Sequence, residues 1–153
     1  MLSPGDDTPN VTYATVDGGA GAIADHNGRT LVLYFYPKDD TTGCTREAQD
    51  FTALAADFAK AGADIVGISK DSVKSHAKFI GKYDLKLVLG SDESGEVCEA
   101  FGVWVEKSMY GRNYMGIERA TFLIGADGKV AQIWRKVKVA GHAAAVLEAA
   151  KAL

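Results

Sequence analysis

Residues 30–36, Thr-Leu-Val-Leu-Tyr-Phe-Tyr, form an unbroken run of apolar, β-branched and aromatic side chains. A strand of that kind has no polar face to turn toward water, so it belongs inside a sheet covered on both sides. Pro37 follows at once, and a proline nitrogen cannot continue a hydrogen-bonded ladder. Beyond it, Ala48, Phe51, Leu54, Ala55, Phe58 and Ala59 recur at helical spacing. A buried strand that runs into an amphipathic helix is the first half of a parallel crossover. The rest of the chain must therefore supply neighbouring strands and helices for both faces.

The remaining pattern does so. Val11–Val16 alternates like a strand, Asp17-Gly-Gly turns, and residues 20–24 read as a return strand, giving an N-terminal β-hairpin extension. The helix after Pro37 spans about 43–60 and is closed by Gly62. Ala63–Ser69 is a second buried strand, and Asp71 or Ser72 caps a helix reaching about Tyr83. A short strand at Leu87–Leu89 and a short helix at Glu96–Phe101 follow. Residues 103–116 read as a long loop rich in aromatics and glycine. Ala120–Ile124 and Lys129–Trp134 flank the turn signal Asp127-Gly128, and a last alanine-rich helix starts after Gly141 and His142. The segment Arg135-Lys-Val-Lys138 alternates charged and apolar residues like an exposed strand edge. The expected fold is α/β: one thioredoxin-like domain over residues 1–153, with a central mixed sheet flanked by helices.

Charge and cysteine content narrow the function. Seventeen basic against twenty acidic residues give a net charge of −3, which offers no electrostatic footing for nucleic acid or an anionic membrane surface. No apolar run approaches the ~20 residues that span a bilayer. The first residues show neither a basic leader nor an apolar stretch, and the expected location is the cytoplasm. Two cysteines 54 positions apart form neither a disulfide framework nor a zinc-ligand pattern.

Cys44 is the informative one, because it falls in the first turn of the predicted helix. There the free N–H groups and the positive end of the helix dipole favour a thiolate. A thioredoxin-type dithiol needs a second cysteine three positions on, where Glu47 stands. A cysteine hydrolase needs a histidine base. His26, His76 and His142 read as surface or capping residues, and nothing in their contexts ties them to Cys44. What remains is a lone activated sulfur flanked by hydroxyls and a carboxylate.

Pro37, Thr41 and Cys44 stand in a Pro-x-x-x-Thr-x-x-Cys arrangement that resembles the peroxiredoxins. The surrounding Tyr-Phe-Tyr-Pro-Lys-Asp-Asp-Thr and Gly-Cys-Thr are similar to the bacterioferritin comigratory protein, or peroxiredoxin Q, branch. Further matches lie at Phe101-Gly-Val-Trp104, Glu106-Lys-Ser and Arg119-Ala-Thr-Phe-Leu-Ile124, so the resemblance covers nearly the whole chain. It implies a thiol-dependent peroxidase that reduces hydrogen peroxide and organic hydroperoxides through a Cys44 sulfenic acid, with neither cofactor nor metal. It also implies roles. Arg119 holds thiolate and peroxide oxygen; Thr41 hydrogen-bonds sulfur or peroxide; the backbone N–H groups at Gly43 and Cys44 complete a polar cradle. Pro37 keeps one wall dry, and Glu47 orients an arginine.

Two positions depart from the branch. Many members carry a resolving cysteine five residues after the peroxidatic one, where this chain has Gln49. Thr42 replaces a usual proline. The expected cycle therefore uses one cysteine and an external thiol such as thioredoxin, glutaredoxin or a small thiol, acting on a monomer. Cys98 reads as a small buried core residue. Its alternative role is a distal resolving cysteine. A redox-sensing or holdase protein switched by Cys44 oxidation, with the aromatic 103–116 segment as its surface, is the remaining alternative.

Overall fold

The computed structural model describes residues 1–153. The expected interior strand, β3 (Thr30–Phe35), lies inside a seven-stranded sheet, with a strand paired on each side. It pairs in parallel with β4 (Ala63–Ser69), which pairs in parallel with β5 (Val88–Ser91). On its other side β3 pairs antiparallel with β8 (Ala120–Ile124), which carries β9 (Val130–Trp134) at the sheet edge. The N-terminal hairpin, β1 (Thr12–Ala14) and β2 (Ala20–Ala22), extends the far edge by pairing β1 with β5. The strand order is β2-β1-β5-β4-β3-β8-β9, so the mixed thioredoxin-like sheet expected from the element order is the one found.

Alternation along β3 divides the core in two. Val32, Tyr34 and Tyr36 point to one face, and Leu31, Leu33 and Phe35 to the other. The first face is covered by α1 (Thr42–Ala53), α2 (Ala55–Lys60), α3 (Val73–Tyr83) and α5 (His142–Lys151), through Ala48, Phe51, Phe58, Phe79 and Val146. Phe51 stacks on Tyr34 with ring centroids 4.8 Å apart, which ties α1 to β3. The second face is covered by α4 (Glu96–Ala100), whose Val97 and Cys98 pack with Phe101, Phe122 and Ile117. No helix is long and apolar enough to cross a membrane.

The structure departs from the sequence reading in four places along the backbone. The return strand expected over 20–24 ends at Ala22 and gives way to a short 3-10 helix over Ile23–His26. The expected single helix over 43–60 is two helices, because Leu54 (φ −102°, ψ 6°) leaves the helical path and its amide bonds back to Phe51 and Thr52. No glycine or proline announces that break. The expected loop over 103–116 is a hairpin, β6 (Trp104–Met109) and β7 (Arg112–Ile117), in a two-stranded sheet of its own. Its turn residues Tyr110 and Gly111 both have positive φ, 51° and 76°, as a type I′ turn requires. Tyrosine in place of the usual asparagine or aspartate hid that signal. The segment 135–138 is not a strand. β9 stops at Trp134, and Arg135 turns inward to Glu118 Oε2 at 2.9 Å and the Gly102 carbonyl at 2.7 Å.

Candidate active site

The last sheet bond at the end of β3 is donated by the Tyr36 amide to Ile68 at 3.1 Å, and Pro37 then ends the ladder. Pro37 itself is exposed at the mouth of the loop. The chain turns through Asp40, whose φ of 59° is a left-handed conformation that aspartate tolerates better than most residues. Thr41 takes the N-cap position of α1 with an extended backbone, but its side chain does not cap the helix. The Thr41 hydroxyl instead donates to the Lys38 carbonyl at 2.9 Å. The first-turn amides of Thr42, Gly43 and Cys44 precede the first i→i−4 bond, which the Thr45 amide makes to Thr41 at 2.8 Å. These are the donors that a helix start leaves for an anion.

Cys44 is 2% exposed and sits in this first turn. Arg119 reaches it from the short link between β7 and β8, placing Nη2 3.4 Å from Cys44 Sγ. The same guanidinium donates through Nη1 to Glu47 Oε1 at 2.6 Å, one helical turn beyond Cys44. Gly43 permits this approach, since a Cβ there would stand 3.2 Å from Arg119 Nη2. Thus Cys44, Gly43, Glu47 and Arg119 are assembled, with Thr41 and Pro37 on the exposed side of the loop. Thr42 and Gln49 are exposed on α1.

Burial governs the charges. Glu47 is almost fully enclosed, and that burial pushes its carboxyl up to about 7 against the pull of Arg119. Its Oε2 has no hydrogen-bond partner, and neither does the buried hydroxyl of Tyr34. Burial opposes the Arg119 charge, but Glu47 and Cys44 outweigh it and raise the guanidinium above its ordinary value.

Lys107 is a site neighbour that sequence reasoning missed. It stands opposite Tyr114 in the hairpin register, and its stem leans across Gly116, whose absent Cβ would lie 3.2 Å from Lys107 Cδ. Burial, then the nearby Arg119 charge, lower its amine. No carboxylate lies within ion-pair distance of it. Only the pairing of β6 with β7 brings it here, so a reading that saw a loop could not find it.

Cys98 is elsewhere. It is fully buried on the opposite face of the sheet from Cys44. Its amide donates to Asp92 Oδ2 at 2.9 Å, and burial together with Asp92 pushes its thiol well up. The histidines make no bond to Cys44, as expected, but two of them are not surface residues. His76 and His142 are buried, the latter with Nε2 2.7 Å from Thr121 Oγ1 and its ring held neutral, at about 4, by burial and then Arg119. The grouping with metal-ligand chemistry, Asp39, Asp71 and His76, spends its polar atoms on hydrogen bonds within the fold.

Residues 4–133 match the AhpC/TSA family. The chain is 58% identical over 127 residues to the Peroxiredoxin Bcp of Xanthomonas campestris, covering 83% of this chain and 79% of that one. It is 44% identical over 147 residues to the Peroxiredoxin Bcp of Bacillus subtilis, covering 96% and 94%. Its structure is similar to that of the X. campestris bacterioferritin comigratory protein, studied for alkyl peroxide reduction, with a TM-score of 0.91 at 49% identity over 99% and 97% of the two chains. It is also similar to a mutant of Xylella fastidiosa PrxQ, with a TM-score of 0.94 at 40% identity over 99% and 97%. With a cysteine at a helix start, an arginine on its sulfur and these likenesses along nearly its whole length, the chain belongs to the AhpC/TSA family as a peroxiredoxin of the Bcp, or PrxQ, kind.

Proposed function

We propose that Cys44 is the peroxidatic nucleophile of a one-cysteine cycle that reduces hydrogen peroxide and organic hydroperoxides. The observation that carries this reading is the single guanidinium of Arg119, held by Glu47 at 2.6 Å and laid 3.4 Å from the Cys44 sulfur. A permanently charged fork so placed stabilises a thiolate and can donate to a peroxide oxygen beside it. The thiolate attacks the nearer oxygen, the O–O bond breaks, and the electron pair leaves on the far oxygen as hydroxide or alkoxide. That oxygen gains a proton, and Cys44 is left as the sulfenic acid. Charge moves from sulfur onto the leaving oxygen, and the amides of Gly43 and Cys44 together with Arg119 are fixed donors along that path. The Thr41 hydroxyl gives its proton to the Lys38 carbonyl, so its oxygen remains an acceptor for the O–H of the hydroperoxide. Pro37, without an amide hydrogen, offers no competing donor on the open side.

Recycling in this reading is external. A thiolate attacks the sulfenic sulfur and expels hydroxide, and a second thiol cleaves the mixed disulfide to return Cys44. Gln49 has no sulfur, and Cys98 lies beyond the sheet, which supports an outside reductant such as thioredoxin, glutaredoxin or a small thiol. All groups of the cradle come from one chain, and the monomer is the working unit. The test is peroxide consumption in the presence of a reducing thiol. Repeated turnover is expected; a protein that oxidises Cys44 once and stops is a sensor, and the peroxidase reading fails.

A further inference from the structure

The loop that delivers Cys44 is held by one buried carboxylate. Asp39 Oδ1 accepts from the Tyr36 hydroxyl at 2.6 Å, and Oδ2 accepts from Ser75 Oγ at 2.8 Å and His76 Nδ1 at 2.7 Å. The Asp39 amide donates to Asp71 Oδ2 at 2.9 Å. Asp71 is held in turn by the Ser69 hydroxyl at 2.6 Å. Helix α3 therefore grips the loop through Ser75 and His76, and again at Asp40 through Lys82 and Tyr83.

His76, at 0% exposure, is the centre of this arrangement. Its Nε2 lies 3.0 Å from the Gly90 carbonyl, which can only accept. Its Nδ1 faces Asp39. Burial opposes the charge of that carboxyl, but hydrogen bonds from His76, Tyr36 and Ser75 outweigh it and hold Asp39 below the ordinary carboxylate range. Both neighbours of the ring are acceptors, so this geometry is satisfied by a ring that donates through both nitrogens. A neutral ring would set a lone pair against one of two buried acceptors, a costly mismatch for a fully buried ring.

Asp39 stands five residues before Cys44, and α1 begins without a side-chain cap of its own. The direction of its first turn is set from outside the helix. We propose that the buried Asp39–His76 pair, with the ring donating through both nitrogens, is a positioning device for Cys44, fixing the loop so that the first turn of α1 presents the sulfur to Arg119. The inference rests on the peroxidatic reading of Cys44. The pair acts through the loop and touches neither sulfur nor peroxide.

The test has two readouts. Nitrogen-15 NMR of the unmodified, histidine-labelled protein should show both His76 ring nitrogens protonated, and D39N, which keeps the volume, should show one of them unprotonated. Stopped-flow measurement of sulfenic acid formation in D39N and in D39A/H76L, normalised to the folded fraction, should show a loss of about tenfold, the scale on which small misplacements of a reacting group act. A merely structural role would lower the melting temperature and leave the rate per folded molecule unchanged. An unprotonated His76 nitrogen in the unmodified protein, or a full rate in either folded variant, overturns the proposal. If the unmodified protein forms no sulfenic acid at all, the peroxidatic reading fails instead, and the proposal, which rests on it, falls too.

Discussion

Cys44 and Cys98 are the same residue at nearly the same exposure, 2% and 0%, on opposite faces of one sheet. What differs is the sign of the charge that meets each. Arg119 Nη2 stands 3.4 Å from the Cys44 sulfur, whereas Cys98 sits in an apolar cluster whose nearest charge, Asp92, repels a thiolate. Burial alone would make both sulfurs inert. A helix start alone does not make a buried thiol usable. Cys98 also lies in the first turn of its helix, but there the Asp92 carboxylate takes the free Val97 and Cys98 amides, whereas at Cys44 a guanidinium stands on the sulfur.

That contrast is most easily broken at the sulfurs. Cys44→Ser should abolish thiol-dependent peroxide consumption, and retained activity would move the chemistry elsewhere. Arg119→Ala should lower the rate of sulfenic acid formation by about 10²–10³, the usual cost of one preorganised donor. Arg119→Lys should recover only part of it, because an ammonium cannot serve Glu47 and the sulfur as a planar fork does. Glu47→Gln sharpens the comparison through pH. The folded chain keeps the Glu47 proton to about 7, whereas an unfolded chain releases it near 4.5. The folded state therefore binds more protons across that window, and stability falls as pH rises through it, by up to about 3 kcal/mol. Melting temperatures of Glu47→Gln should lose that slope between pH 4.5 and 7. The smallest effect on turnover belongs to Cys98→Ser. It should leave peroxide consumption within about twofold while costing about 1–3 kcal/mol of stability, measured by denaturant titration, because a smaller, polar hydroxyl replaces sulfur in a core that is apolar except for Asp92.

The two regions also differ in how far they could be read from the sequence. The β3–Pro37–Cys44 unit was legible because its signals are contiguous: a buried run, a ladder stop and a helical period follow one another. Glu47 was legible as a neighbour one turn away. Arg119 lies 75 positions from Cys44, and no local pattern links them; only the family resemblance did. The break at Leu54 was hidden because no glycine or proline marks it, and Phe51 and Phe58, seven positions apart, share the buried face that a continuous helix would also give them. The β6–β7 hairpin escaped because its turn uses Tyr110, and with it went Lys107, whose place depends on strand pairing. His76 read as a surface residue because a lone histidine on a helix carries no mark of the carboxylate 37 positions away that buries it.

The most direct test is non-reducing mass spectrometry of the protein after one equivalent of hydrogen peroxide, with a sulfenic acid trap present. The expected product carries the trap on Cys44 alone, with Cys98 still a free thiol. Oxidation at Cys98 with Cys44 untouched, or a Cys44–Cys98 disulfide formed as fast as peroxide is consumed, would contradict it.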